Sequence, residues 1–166
     1  MLILTLFSVK GLATTYLTPA QAKEAIWSQT ALTPANITLT PVQMKAISKA
    51  SKTRVRNKRI RAWRTPHGGW FILDQIIGKH ENIDIALGIT HDGKIKDVEI
   101  LEYRETYGGE VRHTAWLAQF FGRTSEKVLK LDRDIKNISG ATLSCRHVTD
   151  GVNRWLHTWE QVLQHR

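Results

Sequence analysis

The sequence is short of cysteine, of proline, of acidic residues and of long apolar runs. A lone cysteine, Cys145, excludes an internal disulfide framework, a Cys-rich zinc site and a CxxCH haem attachment. No uninterrupted apolar stretch approaches about 18 residues, so a polytopic membrane protein is excluded. There are only four prolines, no internal repeat and no low-complexity tract. Asp and Glu number 15 against 24 Lys and Arg, a net charge of +9. That sign favours anionic partners: nucleic acid, acidic protein, anionic lipid or a phosphorylated cofactor. Charge alone does not choose among them. What is present is the aliphatic and aromatic content of a folded protein, with six Trp and four Phe in 166 residues. That length corresponds to one domain with a short tail.

Residues Leu2 to Val9 read LILTLFSV and are followed by Lys10, Gly11, Leu12 and Ala13. A short apolar core followed by small residues has the form of a secretory signal, although nothing basic precedes Lys10. Residues 1–13 are therefore expected to be a signal segment and the protein to be periplasmic or otherwise exported. The alternative is a buried N-terminal strand.

Thr18-Pro19 and Thr40-Pro41 each place an N-cap residue before a helix-compatible proline. They predict two short helices, the first reaching about Gln29, with residues 30–39 a loop. Strands are expected from Trp70 to about Ile77, from Ile83 to Thr90 and from Lys94 to Tyr103, with Asp92-Gly93 as a hairpin turn. Val111, Ala115, Trp116, Ala118 and Phe120 fit a helix stopping at Gly122. Residues 123–138 carry no clear period. Thr142 to Leu163 is the strongest helix, because Val148, Val152, Trp155, Leu156, Trp159, Val162 and Leu163 form one apolar stripe. Helices, then strands, then helices predict an α+β fold, an antiparallel meander packed with helices. The expected division is an N-terminal helical, basic segment at 14–64 and a second unit at 65–166.

No acidic residue lies between Ala25 and Phe71, and nine basic ones fall between Lys45 and Arg64. The simplest reading is a helix end followed by a solvated edge strand. The segment lacks a nucleic-acid-binding motif, so no nucleic-acid partner is expected. It does offer a docking surface for an acidic partner or for membrane head groups. The seven histidines show no metal-ligand spacing, and no metal site is expected. Cys145 and His147, on either side of Arg146, read as residues near a site or on the surface rather than as ligands.

The stretch Ile138-Ser139-Gly140-Ala141-Thr142-Leu143-Ser144 leads into the long C-terminal helix. Glycine permits close backbone approach, and a helix N-terminus attracts anions, phosphate above all. Three hydroxyls, Ser139, Thr142 and Ser144, sit at that position. An ordinary Ser/Thr cap is the competing explanation.

Ser-Gly-Ala-Thr followed by Leu-Ser, with Val148 and Val152 a helical turn apart, resembles the flavinylation motif of FMN-binding domains. Such domains occur in the C and G subunits of the sodium-pumping quinone reductase and its Rnf relatives, and in small exported flavoproteins. Glu105-Thr106-Tyr107-Gly108-Gly109, followed by Trp116 and Gln119-Phe120, resembles the family's Glu-Thr loop and following helix. The resemblance covers about residues 65–156. It implies FMN attached through its phosphate to the Thr142 hydroxyl by a separate flavin transferase, which takes FMN from FAD with a divalent metal. Thr142 would then be a modification acceptor, not a catalytic nucleophile. Ser139, Gly140, Ala141, Leu143 and Ser144 would surround the phosphate, and Glu105 and Thr106 would lie close to the isoalloxazine. The family usually has Asp three residues before the Ser of the motif, where this chain has Lys136, and often Pro where it has Tyr107. The implied function is an exported FMN-carrying electron carrier rather than an enzyme, with a membrane or periplasmic redox protein as partner. A non-covalent FMN module stays open, as does, more distantly, a basic nucleic-acid- or surface-binding protein without flavin.

Overall fold

The computed structural model describes residues 14–166, so the expected signal segment at 1–13 lies outside the described residues. A six-stranded, wholly antiparallel sheet forms the centre. In chain order the strands are β1 (Thr14–Thr15), β2 (Thr33–Thr38), β3 (Arg59–Arg64), β4 (Trp70–Ile77), β5 (Asn82–Ile89) and β6 (Ile95–Tyr103). They lie side by side as β1-β6-β5-β4-β3-β2. Helices α1 (Pro19–Ile26), α2 (Pro41–Ser51), α3 (Thr114–Leu117) and α4 (Thr142–Gln161) complete an α+β fold.

The two Thr-Pro signals begin helices by the same device. Thr18 and Thr40 each accept from the backbone of a Gln three residues on, and that Gln side chain accepts from the cap backbone in return. α1 ends at Ile26, a turn before the expected Gln29. Residues 30–39, expected as a loop, contain β2, which pairs with β3 along its whole length. The sequence TPANIT has little β pattern, and its Pro34 is tolerated because β2 is the outermost strand. β3 is therefore not the edge strand that its charge suggested. Its arginines 59, 61 and 64 are nonetheless exposed, and Ile60 and Ala62 are buried between them.

The sheet is covered on both faces. On one side α1 lays Ala22 and Ile26 over Phe71, Leu73, Ala86 and Leu101. On the other, α2, α4 and the 109–141 segment enclose Ile72, Ile76, Ile83, Ile85, Leu87 and Ile100. β5 alternates accordingly: Ile83, Ile85, Leu87 and Ile89 face the α2/α4 side, and the small Ala86 and Gly88 between them leave room for α1. The α4 stripe is buried as its period requires, with Trp159 partly covered. The helix expected over 111–122 is instead a chain of short turns. A 3-10 turn at Gly109–Arg112, α3, and a second 3-10 turn at Ala118–Phe120 are interrupted where His113 takes an extended conformation. Trp116, Leu117 and Phe120 still reach the core. Residues 123–138 are irregular, and the Asn153 side chain of α4 clamps them through both the N–H and the C=O of Leu129, at 2.8 and 2.9 Å. Among the described residues no helix is long and apolar enough to cross a membrane.

Candidate functional site

The Ser-Gly-Ala-Thr element forms a tight turn running straight into α4. Ala141 donates its N–H to the Ile138 carbonyl at 3.0 Å, and Gly140, third in that turn, has φ +83°, a conformation that glycine adopts without strain. Ser139 and Gly140 are exposed, Ala141 is buried, Thr142 is half-buried and Leu143 is 44% exposed. No side chain caps α4, in contrast to the full capping boxes of α1 and α2. The N–H groups of the first turn of a 20-residue helix thus stay available, and no acidic residue lies in that turn. The competing explanation, a Ser or Thr cap, is not realised.

Thr142 is oriented by a residue that belongs to neither motif. Asn137 donates its side-chain N–H to Thr142 Oγ1 at 2.9 Å and accepts from the Ile138 N–H at 2.8 Å. The hydroxyl proton of Thr142 is left free to point elsewhere. Asn137 sits in the segment without period, so only its spacing to Thr142 could have marked it.

Ser144 faces inward. Its hydroxyl lies 2.7 Å from the Tyr103 hydroxyl, which donates to the Tyr107 carbonyl. A phenol has one proton, so Ser144 donates to Tyr103 and does not have that proton for a phosphate. Burial raises the Tyr103 pKa, keeping it a donor, although its bond to Ser144 opposes the shift. This buried pair joins the 104–108 loop to the start of α4. Gly108, with φ +92°, is needed at the junction, since a Cβ there would meet Ser144 Oγ and Tyr103 Oη. The structure therefore brings the Glu-Thr loop and the Ser-Gly-Ala-Thr turn together through a buried hydroxyl pair.

Within that loop, Glu105 Oε1 accepts from the N–H groups of His80 and Glu81 at 2.7 and 3.2 Å. Burial pushes this carboxyl upward, but the N–H groups of His80, Glu81 and Lys79 outweigh it and hold Glu105 below the usual carboxylate range. Glu105 thus fixes the β4–β5 turn. Gly78 is packed against it, and a side chain there would collide with Oε1. Thr106 and Tyr107 are exposed.

Lys136 is held by its main chain. It donates to Gln119 Oε1 at 2.7 Å, and its carbonyl accepts from Trp116 Nε1 at 2.6 Å. Trp116 and Gln119 thereby set the approach of the chain to the turn. The nearest acid, Asp134, is committed to Lys127 Nζ at 2.6 Å and the Lys130 N–H at 2.9 Å. The Lys127 ammonium beside it lowers its pKa to about 2. Cys145 is fully buried, and burial raises its thiol pKa, so it is a packed small residue.

What can occupy such a site is limited by its parts. Free helix N–H groups, a glycine turn and an oriented hydroxyl suit a phosphate. Exposed Tyr107 and Leu143 suit the flat apolar body carrying it. Comparison with known proteins agrees. Residues 78–157 match the family described as the FMN-binding domain. The chain is also similar to the G subunit of the Na(+)-translocating ferredoxin:NAD(+) oxidoreductase complex of Acetobacterium woodii, with 27% identity over 89 residues. The match covers 48% of this chain and 43% of that protein, so the chain spans less than half the length of that relative. From the β4–β5 turn that Glu105 holds to the apolar stripe of α4, the chain is thus similar to the FMN-binding family.

Proposed function

We propose that the protein is an exported electron carrier whose FMN is joined by a phosphoester to Thr142. The observation that carries this reading is the half-buried Thr142 hydroxyl, aligned by Asn137 at the uncapped start of α4 inside the region similar to the FMN-binding domain. An alcohol ionises too weakly to attack phosphorus unaided at neutral pH. No base lies within hydrogen-bonding distance of Thr142 among the described residues, which supports modification by a separate flavin transferase. The helix N-terminus then stabilises the charge that the phosphoester retains. Bound flavin supplies the redox chemistry; the protein supplies position and field. The relative's name places it in an oxidoreductase complex, which supports a membrane or periplasmic redox protein as partner. Residues 2–13 support export.

Intact-mass measurement after co-expression with a flavin transferase tests the assignment. An FMN-sized adduct is expected on the wild type and on Thr142→Ser at lower yield, and none on Thr142→Ala. An adduct that survives Thr142→Ala refutes Thr142 as the acceptor. Lys136, where the family usually has Asp, favours one second reading, non-covalent FMN held at the same turn. In that case the native protein is yellow, and acid denaturation releases all its flavin.

A further inference from the structure

Strands β3 and β4 are paired only from Arg64↔Trp70 to Arg61↔Leu73. Beyond that point β3 continues along β2 as far as Arg59, and β4 continues along β5 as far as Ile77. The sheet is parted there, and a cleft of about 470 Å³ opens between the two strands, the 53–57 loop and α4. The hairpin closes with the Thr65 N–H bonded to the Gly69 carbonyl. In an antiparallel ladder the bonded positions alternate, so Trp63–Phe71 and Arg61–Leu73 are bonded pairs. By the same alternation Gln75 and Ile77 turn their N–H and C=O groups toward the parting. On the opposite side the Arg59 N–H is already taken by Asn57 Oδ1 at 2.9 Å.

Arg54, Arg56, Arg59 and Arg61 line this cleft and are all exposed. Among the described residues none of the four is paired with a carboxylate. The α4 wall adds His147, Asp150 and Arg154. Arg154 is engaged by Asp74, which also accepts from Trp155 Nε1 at 2.8 Å. His147 Nδ1 is buried and has no hydrogen-bond partner among the described residues. The cleft thus sets five arginines against two carboxylates, Asp74 and Asp150. Burial raises the Asp150 pKa, although His147 and Arg146 pull the other way.

We infer that this cleft is a binding site for a small multivalent oxyanion of the diphosphate class, separate from the flavin anchor at Thr142. Four unpaired guanidinium groups on one rim repel one another, and that repulsion is relieved in proportion to the charge of the guest. Guanidinium forks match phosphate oxygens bidentately, and strand N–H groups add donors at the floor. A volume of this size admits a diphosphate group and excludes a nucleic-acid duplex. The cleft residues of α4, His147 to Trp155, lie five to thirteen residues past Thr142, roughly 8–20 Å along the helix. One phosphate at Thr142 therefore leaves these arginines unneutralised. Two sources share this chemistry, free diphosphate and the diphosphate of a nucleotide.

Isothermal titration with inorganic pyrophosphate, at fixed ionic strength, is made on the full chain with and without attached flavin. One saturable site is expected in both forms, with sulfate binding at least tenfold weaker. Arg56→Gln with Arg59→Gln should weaken it at least tenfold. Lys45→Gln with Lys49→Gln, which removes equal charge outside the cleft, should leave it unchanged. ADP binding as well as pyrophosphate supports a nucleotide source, and exclusion of ADP supports free diphosphate. Equal loss in the lysine control overturns the site in favour of diffuse attraction. Binding confined to the flavin-free form overturns its separateness and makes the cleft a seat for the flavin. The flavin-free arm does not depend on Thr142 being modified, so the two readings fail independently.

Discussion

Two hydroxyls two residues apart on α4 have opposite fates, and the difference is set by direction along the helix. Thr142 stays half-buried with Asn137 behind it, whereas Ser144 turns inward to Tyr103. Tyr103→Phe removes the donor to the Tyr107 carbonyl and the acceptor for Ser144 in one change. Leaving buried polar groups unpaired costs about 1–3 kcal/mol. Urea unfolding should show that loss, and adding Ser144→Ala should cost little more, because the two residues form one network. Glu105 gives a second prediction. Its pKa is lower folded than unfolded, so its contribution is full above the unfolded value, about 4.3, and is lost as pH falls through the folded one. The amide resonances of His80 and Glu81 should titrate together below about pH 4.3, and Glu105→Gln should abolish that titration. The motif itself was legible, because glycine and hydroxyl residues before an apolar stripe imply a specific backbone. Its supports were not. Asn137, Tyr103 and the Lys136 main chain act across separations of 5 to 41 residues that no local pattern encodes.

At the scale of elements, period and turn chemistry decided what could be read. The meander β4–β5–β6 follows from its hairpin turns and β-branched runs, and α4 from its stripe. β2 escaped because an edge strand needs only one partner and TPANIT has no alternation. The 109–120 turns escaped because a helical spacing of apolar residues does not require continuous helix when each turn is anchored separately. The contact between α4 and β4 is close enough to be tested. Gly151 has Ile76 against it, and a Cβ there would lie 2.5 Å from Ile76 Cδ1 and 2.8 Å from Cγ1. Gly151→Ala gains about 1 kcal/mol of helix propensity and costs about 1–3 kcal/mol in overpacking. Net destabilisation is expected in thermal or urea unfolding. Ile76→Val in the same chain should restore part of it by removing Cδ1, the nearer of the two atoms.

At the scale of the molecule the issue is where the charge goes. The basic residues of 45–64 are dispersed over α2, the following loop and β3, and four of the arginines converge on the parted strands beside α4. Reduction adds negative charge to a flavin, so a positive field favours the reduced form and raises its potential. A unit charge about 10 Å away in a water-like medium contributes about 0.4 kcal/mol. That converts to roughly 20 mV, at about 2.3 kcal/mol per 100 mV. Neutralising Arg54, Arg56 and Arg59 together should therefore lower the midpoint by roughly 50 mV at low salt. The shift should shrink as ionic strength rises, because the groups are exposed and a Debye length of about 8–10 Å screens them. Spectroelectrochemical titration of the flavin-loaded protein at two salt concentrations measures both effects. An unchanged midpoint in the triple variant would show that the flavin does not feel this field. A filled cleft is electrostatically equivalent to the triple variant. Saturating pyrophosphate should thus lower the wild-type midpoint in the same direction and leave the triple variant unmoved, linking occupancy of the cleft to the driving force for electron transfer.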